Sequence, residues 1–140
     1  MNKIEKNIEI MHKFETMINT ANEKLANELV SEAAAFYTPA SPEPLYGGKG
    51  YLSFVHFMRS GFSDVQWKIK DFVAQEDKVA VLWELTGTHD GEFLGVKPTG
   101  IKLQTTVMNF YYFNEKGKVI NDVAAEGMVG ILRPLGLLKI

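Results

Sequence analysis

The chain has 140 residues, of which 46% are hydrophobic and 23% are charged, and its formal net charge is -2 at pH 7. This length and composition are typical of one folded domain, so we expect residues 1–140 to form a single domain. The charge balance provides no basic surface for phosphates, and we expect no nucleic-acid partner. The chain contains no cysteine, which excludes disulfides, thiol nucleophiles and cysteine metal sites.

The first 18 residues mix apolar and charged side chains every few positions. They contain neither the continuous apolar stretch nor the small-residue cleavage site of a signal peptide. No run of the sequence approaches the length of a membrane span. We therefore expect a cytoplasmic protein with no membrane partner.

Three apolar stripes with spacings of three and four predict helices in the first half of the chain. They consist of Ile4, Ile8, Met11, Phe14 and Ile18; of Leu25, Leu29 and Ala33; and of Tyr51, Phe54, Val55 and Met58. The third helix is expected to end near Ser60. Residues 38–50 are rich in proline and glycine, which predicts a loop before that helix.

After Asp64 the apolar spacing changes to two, which predicts strands near residues 65–70, 79–88, 101–113 and 118–128. Residues 89–100 contain several glycines and a proline, so we expect an ordered connection there. A final short helix is expected within residues 129–138, interrupted at Pro134. Helices followed by strands in antiparallel hairpins predict an α+β fold, with the helices on one side of a curved sheet.

The helical stripes and one face of the two central strands predict an apolar pocket for a small apolar or aromatic ligand. The predicted pocket residues are Tyr37, Phe54, Met58, Trp83, Asn109 and Tyr111. The alternative is a filled core in which the aromatic side chains only occupy volume. Asn109 argues against that alternative, because an inward amide needs a hydrogen-bond partner.

The second half of the 101–113 strand is apolar on both faces, with Met108, Phe110 and Tyr112 on the face away from the predicted pocket. No sequence remains to form another layer over this face. We therefore expect a homodimer or larger homo-oligomer that associates through the sheet. The alternative is that loops and the C-terminal segment cover the same surface.

Residues 87–100 read GTHDGEFLGVKPTG, which resembles the GTHxGxFxGxxPTG block of SnoaL-like polyketide cyclases. Phe62-Ser63-Asp64 is similar to the family's Phe-Pro-Asp, Gly48-Lys49-Gly50 to its helix entry, and residues 130–136 to its closing GLLxQLG. The resemblance implies a nuclear transport factor 2-like fold, a cone of helices over a strongly curved antiparallel sheet. It also implies cofactor-free ring closure by intramolecular aldol addition, in which a carboxylate removes a proton next to a carbonyl.

The catalytic positions of the family are not matched. Many members have His-Trp, three residues, Asp and two further residues before the glycine that corresponds to Gly130. Counting back places Gly127 at the position of the acid, Val123 at that of the tryptophan and Asp122 at that of the histidine. Tyr37 stands where the family often has another histidine. No catalytic residue is therefore carried over from the resemblance.

Three residues of this chain are candidates for catalysis. Glu126 precedes the vacant position and faces inward only if a bulge reverses the strand, in which case burial would raise its pKa. Asp122 is the second carboxylate, although it could equally lie on an exposed strand edge. His89 ends a strand beside glycine turns, where a structural role is favoured over that of a base. The three histidines have no metal-ligand spacing, so we expect no metal. No phosphate-cradling loop or dinucleotide fingerprint occurs, and we expect no cofactor.

Three functions remain open from the sequence. The first is a cofactor-free cyclase or isomerase for a polyketide-like carbonyl compound, which requires an inward carboxylate or histidine near the bound carbonyl. The second is a non-catalytic protein that binds a small ligand, for which an apolar lining and an anchor such as Asn109 or Tyr111 suffice. The third is a dimeric scaffold with a degenerate active site.

Overall fold

A computed structural model describes residues 1–38 and 41–138; Pro39, in the predicted loop, lies outside them. The elements, in chain order, are α1 (Lys3–Thr20), α2 (Glu23–Leu29), β1 (Val30–Thr38), β2 (Ser41–Tyr46), α3 (Gly47–Gly61), β3 (Gln66–Gln75), β4 (Lys78–Thr88), β5 (Lys102–Phe113), β6 (Val119–Ala124) and α4 (Val129–Leu132). Among the described residues, no helix has the length and apolarity needed to cross a membrane.

The strands form one six-stranded sheet in the order β2-β1-β6-β5-β4-β3. The β1–β6 pair is parallel and the other four pairs are antiparallel. Helix α1 packs on β3 and β4, while α3 packs on β1 and β2. The predicted α+β fold, with helices packed on a sheet, is therefore confirmed.

Helix α1 begins and ends where local chemistry dictates. The Asn2 side chain accepts a hydrogen bond from the Glu5 backbone N–H at 2.8 Å, and the Glu5 carboxylate accepts one from the Asn2 N–H. This reciprocal cap satisfies two N–H groups that lack partners within the helix. Ala21 then adopts a left-handed conformation and ends the helix.

The core lies between the helices and the inner face of the sheet. Phe14 and Val55 from the helices, and Val79 and Trp83 from β4, are at most 1% exposed. The odd-numbered positions of β4 face this core, as their alternation predicted. Each fully buried side chain of this size contributes roughly 1.5–3 kcal/mol relative to an exposed one.

The predictions for residues 30–46 were wrong. Helix α2 ends at Leu29 rather than continuing to Ala33, and β2 lies within the predicted loop. Strand β1 pairs with both β2 and β6, and this tertiary pairing overrides the helical preference of its alanines. Pro42 and Pro44 are tolerated in β2 because it is an edge strand.

Strand β6 ends at Ala124, well before the predicted residue 128, and contains a bulge. Phe113 pairs with Val119 while Tyr112 pairs with Asn121, so Ile120 is an extra residue on β6. The bulge allows Val119 and Asp122 both to be buried although they are three residues apart. It therefore places the Asp122 side chain in the interior.

Candidate active site

Asp122 lies in the middle of the inner face of the sheet. Strands β1 and β5 flank β6, so that Phe36 and Tyr111 are the cross-strand partners of Asp122. Only 8% of Asp122 is exposed. A carboxylate with aromatic neighbours on both sides is poorly solvated, which disfavours its charged form.

The ionisation of Asp122 is set by two opposing effects. Burial raises its pKa to about 7, and a hydrogen bond from Asn109 partly opposes this increase. That bond runs from Asn109 Nδ2 to Asp122 Oδ1 and is 2.7 Å long. A carboxyl group with such a pKa can both accept and release a proton near neutral pH, as a general base must.

Two tyrosine hydroxyls accompany this carboxyl group. The Trp83 indole Nε1–H donates a hydrogen bond of 3.0 Å to the Tyr111 hydroxyl, and Tyr111 and Tyr51 both line the cavity described below. Burial, and then the charge of Asp122, raise the pKa of both tyrosines. Both phenols are therefore neutral at physiological pH and available as hydrogen-bond donors.

A main cavity of about 320 Å³ lies beside this group. Five of the predicted pocket residues line it: Phe54, Met58, Trp83, Asn109 and Tyr111. Tyr51, Phe57 and Phe93 add further aromatic surface to its wall. Its volume is at the lower end of the range for small-molecule sites, and its apolar lining with few polar groups is typical of them.

Asp122 lines a smaller recess of about 80 Å³. Tyr51, Phe54, Asn109 and Ala124 line both the recess and the main cavity, so the two spaces adjoin. The recess is comparable in volume to two or three molecules of liquid water, at about 30 Å³ each. It can therefore accommodate one small group, such as a carbonyl and the carbon next to it, rather than a whole ligand.

The connection from β4 to β5 supplies one wall of the main cavity. The Phe93 ring packs against Phe57, with ring centroids 4.9 Å apart, and the Asp90 and Gly91 backbone N–H groups donate to the Gly61 carbonyl at 3.1 Å. A Cβ at Gly91 would overlap the carbonyl oxygen of Ser60. Glycine at this position therefore lets the connection approach the end of α3 and place Phe93 in the wall.

The sequence model of the SnoaL-like polyketide cyclases matches residues 8–135. The chain belongs to this family. A sequence search among curated proteins found no match. A polyketide cyclase needs a pocket for a small molecule. In this chain the helices and the inner face of the sheet together line such a pocket.

Solved structures of similar fold include SnoaL-like relatives. A protein provisionally assigned as a SnoaL-like polyketide cyclase, from Jannaschia sp. CCS1, is 19% identical with a TM-score of 0.76, and the match covers 99% of this chain and 98% of that one. IdmH from Streptomyces antibioticus, provisionally assigned as a polyketide cyclase, is 24% identical with a TM-score of 0.72, over 93% and 98% of the chains. AclR from Streptomyces galilaeus, provisionally assigned as a hydroxylase, is 24% identical with a TM-score of 0.72, over 99% and 89%. At these identities the likeness concerns the fold alone.

Gly127, which stands at the position of the family's catalytic acid, does not lie on the inner face of the sheet. Gly127 is exposed beyond the end of β6 and has a positive φ of 54°. Asp122, which counting placed at the family's histidine position, is the carboxylate that the structure brings to the recess.

The other candidates predicted from sequence lie elsewhere. Glu126 is exposed beyond β6, and the bulge that could have turned it inward lies instead at Ile120. His89 is buried, and its Nδ1 lies 2.9 Å from Thr99 Oγ1 and accepts a hydrogen bond from the Thr99 N–H at 3.3 Å. Neither Glu126 nor His89 lines the cavity or the recess.

Two further residues refine the predicted pocket. Tyr37 lines the recess rather than the main cavity, and 66% of it is exposed. Tyr51 was predicted only as part of a helical stripe, yet it lines both spaces. The signal that could have identified it is its hydroxyl, since a phenol on an apolar stripe needs a polar partner.

No metal site is evident over residues 1–38 and 41–138, where no three histidine, aspartate or glutamate side chains gather in a way that could hold an ion. The acidic group of the site is Asp122, which is accompanied by the amide of Asn109 and the phenols of Tyr51 and Tyr111. Such a set can take up a proton and donate hydrogen bonds to an oxygen atom.

Proposed function

We propose that this SnoaL-like protein is a cofactor-free enzyme acting on a small apolar or aromatic, polyketide-like carbonyl compound. In this proposal Asp122 is the general base. The observation that carries it is the position of one inward carboxyl group, with a pKa raised to about 7, in a recess that shares four lining residues with an apolar cavity. A base is most effective when its pKa lies near the working pH.

The proposed step begins with the apolar body of the substrate in the main cavity and its carbonyl group in the recess. Asp122 removes a proton from the carbon next to the carbonyl, and the electrons of the C–H bond form an enolate. In an aldol cyclisation the enolate carbon bonds to a second carbonyl carbon of the same molecule, the electron pair of that C=O bond moves to its oxygen, and the resulting alkoxide takes the proton from Asp122. In an isomerisation, Asp122 returns the proton to a different carbon.

The expected rate enhancement combines two effects. A positioned base contributes typically about 10²–10⁴-fold. A cavity that holds two carbonyl groups of one chain together can contribute roughly 7–11 kcal/mol through orientation. The main cavity supports this second effect because aromatic side chains restrict its shape: the Tyr51 ring lies 6.5 Å from that of Phe54.

A direct test is proton exchange in 2-acetonaphthone, an aromatic ketone with an enolisable methyl group. Incubated with the protein in D₂O, the methyl signal should decline in the proton NMR spectrum. Asp122→Asn should slow this exchange by roughly 100-fold or more, while Glu126→Gln, which removes a carboxylate from an exposed position, should leave it unchanged. The rate should rise with pH and level off above about 7, following the pKa of Asp122. Equal exchange in both variants would exclude Asp122 as the base.

A non-catalytic binding protein is the second candidate. It is favoured by one observation: Asp122 lines the recess but not the larger cavity, whose wall is almost wholly apolar. A binding protein would take up 2-acetonaphthone without accelerating its exchange, and Asp122→Asn would bind it equally well. Exchange and affinity measured on the same samples distinguish the two functions.

We also propose that two copies associate through the outer face of the sheet. This face carries a groove of about 440 Å³ with apolar, exposed side chains, among them Val73, Met108, Phe110 and Val123. A single apolar face of this kind can be covered by the same face of a second copy related by twofold symmetry.

A cytoplasmic location is proposed as well, since a chain without cysteine needs no oxidising compartment. Residues 1–140 are proposed to act as one domain.

A further inference from the structure

The Tyr51 side chain is held rigidly at the wall that the main cavity shares with the recess. Its ring makes edge-to-face contacts with Phe14 and Phe36, each with ring centroids 4.9 Å apart. These contacts come from α1 on one side and β1 on the other, so they restrict the rotation of the ring. The position of the hydroxyl is fixed as a result.

The hydrogen bond between Trp83 and Tyr111 has a fixed direction. An indole N–H can only donate, so the Tyr111 oxygen must accept in the 3.0 Å bond from Trp83. Tyr111 and Tyr51 line the same main cavity, and Tyr51 lines the recess as well. The proton of the Tyr51 hydroxyl can therefore go to an acceptor in the cavity or the recess.

The neighbouring carboxyl group already has a donor. Asn109 Nδ2 binds Asp122 Oδ1 at 2.7 Å, so one amide hydrogen of Asn109 is engaged there. Burial and the charge of Asp122 keep Tyr51 in its neutral form by raising its pKa. A neutral phenol and a titratable carboxyl group therefore face the same small recess.

We propose that Tyr51 donates the hydrogen bond that holds the carbonyl oxygen of the ligand, with Tyr111 and Trp83 as positioning residues behind it. The role of this bond in a reaction rests on the proposed function. When Asp122 takes the proton, negative charge moves from the carbon to the carbonyl oxygen. A donor fixed beforehand at that oxygen stabilises the enolate without reorganisation. The ligand class is thus an enolisable ketone whose carbonyl fits the recess.

Tyr37 is the other phenol of the recess and provides a matched comparison. It is 66% exposed, so water competes for its hydroxyl and any hydrogen bond to a ligand is weakened. The ring of Tyr51, by contrast, packs against Phe14 and Phe36. We therefore expect Tyr51→Phe and Tyr37→Phe to differ in effect although they remove the same group.

The test uses pentafluorophenol, which is ionised at pH 8 and mimics an enolate oxygen on an apolar ring. Hexafluorobenzene, with the same ring and no oxygen, is the matched probe. Binding of both is measured by fluorine NMR in protein carrying Asp122→Asn, which removes the charge that would repel the phenolate. Tyr51→Phe, Tyr37→Phe and Trp83→Phe are each introduced into this background.

The expected result is selective for the oxygen. Tyr51→Phe should weaken phenolate binding by roughly 10- to 100-fold, as expected for a hydrogen bond to a charged group, and change hexafluorobenzene binding by less than about twofold. Trp83→Phe should weaken phenolate binding by roughly 3- to 10-fold through the lost orientation of Tyr111. Tyr37→Phe should weaken phenolate binding by less than about threefold, since water competes for its exposed hydroxyl. Equal weakening of both probes by Tyr51→Phe, or none, would overturn the proposal.

This measurement is independent of turnover. If Tyr51→Phe selectively weakens phenolate binding but no ketone exchange is catalysed, Tyr51 stands as a ligand anchor and the proposed enzyme function fails. If exchange depends on Asp122 but phenolate binding is indifferent to Tyr51, the base stands and the donor fails. If Tyr51→Phe does not fold, as judged by circular dichroism, Trp83→Phe carries the test. Weaker binding of the phenolate alone then supports the proposal, and equal or no weakening of the two probes overturns it.

Discussion

Replacement of Asp122 by asparagine is expected to stabilise the protein, and increasingly so as pH rises. Burial raises the pKa of Asp122 from 3.8 to about 7. Between these values the unfolded chain has lost the proton that the folded chain still binds. The free energy of unfolding therefore falls as pH increases through this window and becomes constant above it. Asparagine has no such titration and can keep a hydrogen bond to Asn109.

The magnitude follows from the size of the shift. At about 1.4 kcal/mol for each pKa unit, ionising Asp122 lowers the stability of the folded state by roughly 4 kcal/mol at high pH. Of this, about 2–3 kcal/mol develops between pH 5 and pH 8. One kcal/mol corresponds to roughly 3 °C in Tm for a chain of this length. The Tm advantage of Asp122→Asn should thus grow by about 6–9 °C over this pH range.

The assay is thermal unfolding of the wild-type protein and Asp122→Asn, followed by circular dichroism at several pH values between 5 and 8. The control is Asp77→Asn, which removes the same charge from the turn between β3 and β4. The control should shift Tm little. A Tm difference for Asp122→Asn that does not change with pH would refute the reasoning, because the carboxyl group would then titrate alike in the folded and unfolded chains.

Three further predictions concern other parts of the molecule. Phe110→Lys, on the outer face of the sheet, should convert the proposed dimer to a monomer in analytical ultracentrifugation, whereas Val96→Lys in the β4–β5 connection should not. Gly91→Ala should lower the free energy of unfolding, measured by chemical denaturation, by about 2 kcal/mol or more, because its Cβ overlaps the Ser60 carbonyl. The Cβ of Gly95→Ala meets open space, so that variant should lower the free energy of unfolding by only about 1 kcal/mol, through its positive φ. Asp64→Asn should lower Tm at pH 7, and this loss should shrink as pH falls below about 4. Hydrogen bonds from the Thr88 N–H and hydroxyl lower the pKa of Asp64, and the stabilisation from a lowered pKa is lost as pH falls through the pKa of the folded state.

The central strands could be predicted from the sequence because their alternation is a local property. Trp83, Asn109 and Tyr111 fall on the inner face whatever the rest of the chain does, provided that β4 and β5 form. Strand β1 could not be predicted in this way. Its alanines favour a helix in isolation, and they form a strand because β6, distant in sequence, pairs alongside it.

The local sequence pattern could not show that Asp122 faces the interior and that Glu126 is exposed. The alternation along β6 is broken at Ile120, and only the pairing with Tyr112 and Phe113 locates that bulge. The exposed position of Glu126 depends on the end of the strand at Ala124, which is set by its partners. Register and strand length are properties of pairs of strands, and one strand read alone does not reveal them.

The burial of Asp122 is the strongest reason to regard this site as functional. An apolar residue at position 122 would pack between Phe36 and Tyr111 without losing hydration energy on folding, and folding alone gives no advantage to a carboxyl group there. The surrounding residues hold the group in place through Asn109 but leave its pKa raised. A pKa shifted in this direction and located beside a cavity is typical of catalytic groups. If Asp122→Asn proves more stable and also fails to exchange the ketone proton, one feature explains both results. The buried carboxyl group of Asp122 then lowers the stability of the fold and performs the proposed chemistry.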